Sequence, residues 1–246
     1  MTAIKINNLR KEYKDVVAVE DLDLEITEGE LFALLGVNGA GKSTTVKMLA
    51  ALVAPTKGDA LIYGYSVKDE ADKVKGIIDI SMQETAVARK LTVEENIEFY
   101  AALSGQDKAE TENSKAYVYD TFGLGKVAKK QAAKLSGGWQ RKLSVALALV
   151  SKPKILFLDE PTLGLDVIAR RELWSAINKL KGKVTVILTT HYMEEAESLS
   201  DRIGIMKDGK LLFVGNKQEL FEKTGKGNVE DAFIYVVGGE ENAQLF

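Results

Sequence analysis

Residues 31–35, Leu-Phe-Ala-Leu-Leu, form a solid apolar run that is broken by Gly36-Val37-Asn38-Gly39-Ala40-Gly41-Lys42-Ser43. An apolar run without alternation reads as a strand covered on both faces. Glycines at 36, 39 and 41 let a backbone wrap closely around an anion with its N–H groups turned inward. From Ser43 the spacing becomes helical, with Val46, Leu49, Ala50 and Val53 on one stripe and Pro55 as the expected stop. Strand, glycine loop and helix in this order make a phosphate loop. Lys42 reaches the β- and γ-phosphates, and the Ser43 hydroxyl is placed for Mg²⁺. Asn38, Gly39, Ala40, Gly41, Lys42, Ser43 and Thr44 are the candidate phosphate-binding residues.

The rest of the chain extends the same α/β pattern. Residues 21–26 alternate acid and aliphatic, the period of a strand with one wet face. Further strands are expected near 60–63, 77–80, 155–158 and 184–188, and Asp208-Gly209 between apolar runs signals a hairpin. Residues 84–150 read as mainly helical. Thr92-Val93-Glu94-Glu95 is a capping box, followed by the apolar face of Val93, Ile97, Tyr100 and Ala101. Leu143, Ala146, Leu147 and Val150 point inward from a later helix, and Leu173, Trp174, Ile177 and Leu180 from another. A linker at 225–228 leads to a short helix capped by Asn228 and then an acidic, frayed end. Alternating strands and helices imply a largely parallel sheet with helices on both faces and ligands at the carboxyl ends of its strands. The expected organisation is one domain over 1–246. Its core is 1–83 and 151–224, its helical lobe 84–150, and its short extension 225–246.

Other chemistry is set at the edges of these elements. Leu135-Ser136-Gly137-Gly138 is a second glycine-rich turn opening a helix, and free N–H groups with a positive dipole end make it another anion site. Two phosphate sites so far apart suggest one nucleotide gripped by two subunits. Asp159 and Glu160 end the strand at 155–158, where acids are costly unless a metal or substrate uses them; the alternative is a capping acid before Pro161. Asp166 has the place of a helix N-cap for Val167 onward. His191 is the only histidine, and it follows a buried strand ending Leu188-Thr189-Thr190. One histidine and no cysteine exclude a multi-histidine or thiolate metal site and a disulfide framework. A net charge of −3, with no strip of interleaved basic and aromatic residues, argues against nucleic acid. Residues 1–14 lack the apolar core of a signal peptide. The longest uncharged stretch, 31–41, is about half the ~20 residues of a membrane helix, so no crossing of a membrane is expected.

In their order along the chain these motifs resemble the nucleotide-binding subunits of ATP-binding cassette (ABC) transporters, over nearly the whole sequence. The resemblance implies a P-loop NTPase (RecA-like) core with an antiparallel β subdomain and an inserted helical lobe, using ATP and Mg²⁺. It makes Asp159, with Ser43 and Gln83, the metal site. Glu160 then polarises the attacking water, while His191 contacts the γ-phosphate and that water. Gln83 matches the family's Q-loop glutamine, which touches Mg²⁺ and the water. Tyr13, 23 residues before Gly36, matches the ring that stacks on adenine; an exposed packing tyrosine is the rival reading. Ser136, Gly137 and Gly138 match the residues that bind the γ-phosphate held by the opposite subunit, and Asp166 lies in the loop that crosses to it. The family usually has Pro where Val37 stands and Gln where Trp139 stands.

Residues 190–197 and 228–233 look like ABC-2-type export ATPases. That likeness implies a separate integral membrane permease docked by the lobe after Gln83. It also implies a homodimer or a paralogous partner, and a peripheral place on the cytoplasmic face of the cell membrane. The alternatives are a cassette ATPase acting on ribosomes or DNA, and a regulatory module without turnover. The first is disfavoured because no heptad arm fits between the two motifs and the sequence shows one cassette where ribosomal types usually pair two, and the second is disfavoured by Glu160 and His191.

Overall fold

A computed structural model describes residues 1–238, and the acidic end expected to fray lies outside the described residues. Strands β1 (Thr2–Tyr13) and β2 (Val16–Thr27) pair antiparallel over most of their length. The alternation at 21–26 is the second half of β2, with Leu22, Leu24 and Ile26 buried and Asp21, Asp23 and Glu25 exposed. No strand is expected from the sequence where β1 runs, because its period slips. Its register shifts between Ile6 and Leu9 and again between Leu9 and Lys11, and Asn8 has φ of 46°.

Strand β3 (Leu31–Gly36) is buried at every position. Helix α1 (Lys42–Leu49) follows the phosphate loop but is shorter than its stripe predicts. Ala51 adopts φ of 52°, its N–H donates to the Met48 carbonyl, and the Leu52 N–H donates to the Lys47 carbonyl at 2.9 Å. Those two bonds close a Schellman turn, so the helix stops before Val53 and well before Pro55. Strands β4 (Lys57–Ile62) and β5 (Tyr65–Ser66) complete a four-stranded antiparallel sheet in the order β2-β1-β4-β5.

After α2 (Ala71–Lys75) and β6 (Ile78–Ser81), three α-helices intervene before β7 (Ile155–Asp159). Helix α3 (Val93–Leu103) starts at the Thr92–Glu95 capping box. Helix α4 (Lys108–Phe122) starts at a second box, Asp107–Glu110, and ends at Gly123 with φ of 70°. Lys115 joins the two helices, bonding Glu94 and Glu98 at 3.1 Å each and Glu112 at 2.7 Å. Helix α5 (Gly137–Val150) buries an unbroken set from Arg141 to Val150. The chain continues through α6 (Val167–Asn178), β8 (Thr185–Thr190), α7 (Met193–Leu199), β9 (Arg202–Lys207) and β10 (Lys210–Gly215). It closes with α8 (Lys217–Thr224) and α9 (Val229–Gly238). The β9–β10 hairpin turns on Asp208 and Gly209, both at positive φ as a type I′ turn requires. Asn228 accepts the Asp231 N–H at 2.8 Å at the start of α9.

The second sheet has the order β10-β9-β3-β8-β7-β6, parallel except for β10 at its edge. Its central strands β3, β7 and β8 are buried on both faces because each face carries a core. Leu156, Leu158, Val186 and Leu188 pack against α3 to α6. Phe32, Leu34, Phe157 and Ile187 pack against α1 and the antiparallel sheet. Ala33, Leu35, Ile203 and Ile205 pack against α7 to α9. Register fixes the site: Leu35 pairs Thr190, Asp159 pairs Thr189 and Ser81 pairs Leu158, so the ends that carry the phosphate loop, the acids, His191 and Gln83 lie along one edge.

Candidate nucleotide site

The phosphate loop needs its glycines for two reasons. Gly39 and Gly41 have φ of 84° and 103°, a region that side chains disfavour. At Gly36 a Cβ would lie 2.5 Å from the Met206 carbonyl oxygen, and at Gly41 2.4 Å from that of Ala18. The hairpin tip braces the loop from outside, since the Gly209 N–H donates to the Ala40 carbonyl at 3.1 Å. No side chain caps α1, so the N–H groups of its first turn are available to an anion. A cavity of about 390 Å³ opens there, lined by residues 38–44 with Val16, Val17, Ala18 and Asp208.

Five of the residues singled out in the sequence, joined through Thr189, form a bonded chain beside this cavity. The buried Lys42 ammonium donates to the carbonyls of Gly36 at 2.7 Å and Val37 at 3.2 Å, and lies 3.3 Å from Glu160 Oε1. Glu160 Oε2 is 2.6 Å from His191 Nδ1. Ser43 Oγ donates to Asp159 Oδ1 at 3.0 Å, and Thr189 Oγ1 donates to the same oxygen at 2.5 Å. Glu160 has φ of 49°, a strained value for a residue with a side chain, held by its N–H on the Thr189 carbonyl at 3.1 Å. Among the described residues no group of three or more His, Cys, Asp or Glu side chains could cage a metal. The Ser43 hydroxyl and Asp159 carboxylate are hard oxygen donors beside a phosphate loop. That set fits Mg²⁺, which takes one or two protein ligands and completes its shell from phosphates and water.

The second glycine turn is a separate place. Ser136 begins α5 without a side-chain cap bond, and a cavity of about 240 Å³ is lined by Ser136, Gly138, Trp139, Lys142, Asp166, Ile168, Ala169 and Glu172. It shares no lining residue with the phosphate-loop cavity. Gly137 has open space where a Cβ would stand, whereas a Cβ on Gly138 would lie 2.7 Å from that of Ala169. Trp139 is half-buried and takes the Lys142 ammonium over its ring at 4.4 Å, while Lys142 pairs with Glu172. Asp166 caps α6, accepting the N–H groups of Ile168 and Ala169 at 2.9 Å each.

The family model for ABC transporters matches residues 19–163, more than half of the chain. The chain belongs to the ABC transporter family. It is 39% identical over 231 residues to the human phospholipid-transporting ATPase ABCA3, covering 92% of this cassette and 14% of that protein. It is 37% identical over 243 residues to the probable multidrug ABC transporter ATP-binding protein YbhF of Escherichia coli, covering 96% of the cassette and 42% of YbhF. The cassette therefore spans less than half the length of either relative. A solved dimeric structure of MJ0796, a bacterial ABC transporter cassette, superposes with a TM-score of 0.77 at 28% identity, over 87% of this chain and 98% of that one. Among the described residues no helix of the cassette is long and apolar enough to cross a membrane.

Two expected site residues stand apart from the bonded chain. Gln83 is exposed just past β6, and its backbone carbonyl, not its side chain, makes the bond found there, accepting from Arg141 at 3.1 Å. Tyr13 is 44% exposed at the end of β1, with the Lys11 ammonium 4.9 Å from its ring centroid. It pairs with Val16, which lines the cavity, but does not line it itself.

Three contributors escape sequence reading. Thr189 serves both acids from what looks like another apolar strand position. Arg141 is buried and donates only to main-chain carbonyls around the site. Burial pushes its guanidinium down to about 10, with the nearby Asp159 charge acting the other way. Glu195 is fully buried in α7, where its Oε1 accepts from Thr162 Oγ1 and Trp174 Nε1 at 2.9 Å each. Its partner oxygen has no hydrogen bond, and burial raises its carboxyl above the usual range. In sequence, Arg141 and Glu195 read as the solvated faces of amphipathic helices. The only signal is Trp174, whose indole N–H needs an acceptor once buried.

Proposed function

We propose that the cassette hydrolyses ATP in a head-to-tail dimer and so powers export by a separate membrane permease of the ABC-2 type. The observation that carries the reading is the Lys42–Glu160–His191 chain at the carboxyl edge of the sheet. A lysine, a buried carboxylate and an imidazole in hydrogen-bonding reach of one another are the parts phosphoryl transfer needs for charge stabilisation and for orienting water. Lys42 would exchange its two loop carbonyls for the β- and γ-phosphates. Glu160 would accept the proton of the attacking water, and His191 would hold that carboxylate through Nδ1 while facing the γ-phosphate. Ser43 and Asp159 would hold Mg²⁺, which neutralises phosphate charge when bound, and Gln83 would reach the same region. Tyr13 would cover the adenine.

The separate cavity at Ser136–Gly138 supports the dimer, because one chain presents the two anion sites apart. A two-fold pairing would set each phosphate loop against the partner's second turn and close on itself. The partner is a second copy or a paralogue. The names of the relatives favour transport of lipids or drugs, and the exposed face of the lobe after Gln83, within 84–100, offers the docking surface for the permease. The working place is then peripheral, on the cytoplasmic face of the cell membrane. Vesicles reconstituted with the partner permease test the whole reading. Glu160→Gln loses ~10²–10⁴-fold in phosphate release, whereas Arg89→Glu lowers only permease-stimulated turnover. Activity of Glu160→Gln within threefold of wild type rejects the assignment of Glu160.

A further inference from the structure

Arg141 lies one turn into α5, the helix that opens on the Ser136–Gly138 turn. Its Nε donates to the Pro161 carbonyl at 2.7 Å. One terminal nitrogen donates to the carbonyls of Met82 at 2.6 Å and Gln83 at 3.1 Å, the other to those of Asp159 at 3.1 Å and Glu160 at 3.3 Å. A guanidinium has five N–H groups in a fixed planar fork, and here each meets a backbone carbonyl. The acceptors come from two segments far apart in sequence: the end of β6 that carries Gln83, and the turn after β7 that carries Glu160. A buried cation bonded only to neutral carbonyls is costly to desolvate, and residues of similar volume without charge would fill the same space. What an apolar residue cannot do is set the offset between two backbone segments.

We infer that Arg141 is a positioning residue for hydrolysis: it holds the Glu160 turn and the Gln83 strand end in fixed relation to the helix that opens on Ser136–Gly138. The inference rests on the reading of Glu160 as the group that activates water. Glu160 occupies a strained backbone conformation with φ of 49°, so its carboxylate is aimed only while that turn is held. Lysine cannot replace the fork, because its donors radiate from one point on a flexible stem.

The test uses the full chain, with phosphate release normalised to ATP-binding sites. In Arg141→Lys and Arg141→Gln, kcat is expected to fall about 10- to 100-fold, the cost of a misplacement near 1 Å. KM for ATP should stay within about twofold, since the phosphate loop is untouched. A merely structural role would instead lower the number of binding sites and leave turnover per site unchanged. Glu160→Gln is measured in parallel. If it is inactive while both Arg141 variants turn over at the wild-type rate, the inference fails and the reading of Glu160 stands. If Glu160→Gln remains active, the reading fails and the inference with it. Should neither Arg141 variant give folded protein, amide exchange on the unmodified chain decides. On adding Mg²⁺ and a non-hydrolysable imido analogue of ATP, protection at 82–84 and 159–163 should rise together with that at 136–141. Protection at 136–141 alone overturns the proposal.

Discussion

Glu160 and Glu195 are both buried, and their surroundings treat the charged form differently. Glu160 sits between two basic side chains at the rim of the sheet, where a carboxylate can meet water and phosphate. Glu195 sits among Thr162, Trp174 and Thr190, where burial, and to a smaller extent the Glu160 charge, disfavours the charged form. Its folded-state pKa is raised, so its ionisation costs nothing at a pH below the unfolded carboxyl value, ~4.3. The cost grows as pH rises through that value towards the folded one. Glu195→Gln keeps the acceptor for Thr162 and Trp174 and removes the ionisation. Its stability relative to wild type should therefore improve from pH 4 to pH 7, as read by urea denaturation at both. A difference that stays constant with pH would mean Glu195 ionises in the fold as freely as in the unfolded chain. Lys42, Ser43, Asp159, Glu160 and His191 are legible in the sequence because each interrupts an apolar strand end or a glycine turn. Arg141 and Glu195 are not, because a charge on a helix looks the same whether solvent or a carbonyl receives it.

At the scale of elements, the two glycines of the second turn are held for different reasons. Gly137 faces open space, while Gly138 lets α5 touch α6 at Ala169. Gly138→Ala should cost ~1–3 kcal/mol through overpacking, or roughly 2–4 °C in melting temperature per kcal/mol. Gly137→Ala should stay within about 0.5 kcal/mol. Adding Ala169→Gly to Gly138→Ala should restore most of the loss, and its failure to do so would mean the contact with Ala169 is not the reason. The sequence marks this turn as an anion site but is silent on its packing, since nothing local says that Ala169, thirty-one residues on, will lie against it. Helix α1 shows the opposite failure. Its apolar stripe runs to Val53, yet the bonds of Ala51 and Leu52 end the helix earlier, and a Schellman turn without glycine leaves no mark in composition. Strand β1 is hidden by its bulges, whereas β3 and β7 declare themselves by unbroken apolar runs.

On the scale of the molecule, a single chain carries two cavities, one at the phosphate loop and one at the Ser136–Gly138 turn, with no lining residue in common. Exposed Val167 and Ile168 flank the second one, apolar side chains beside a polar rim of the kind that a partner covers. If one nucleotide bridges two chains, the γ-phosphate is the group that distinguishes closed from open, because it alone reaches the partner's Ser136–Gly138. Light scattering of Glu160→Gln, expected to bind ATP without consuming it, tests this most directly. With Mg²⁺ and ATP the account predicts a particle of twice the 26.9 kDa chain mass, and with ADP a particle of the chain mass alone. Monomer throughout, at high protein concentration and with ATP binding confirmed, would contradict it.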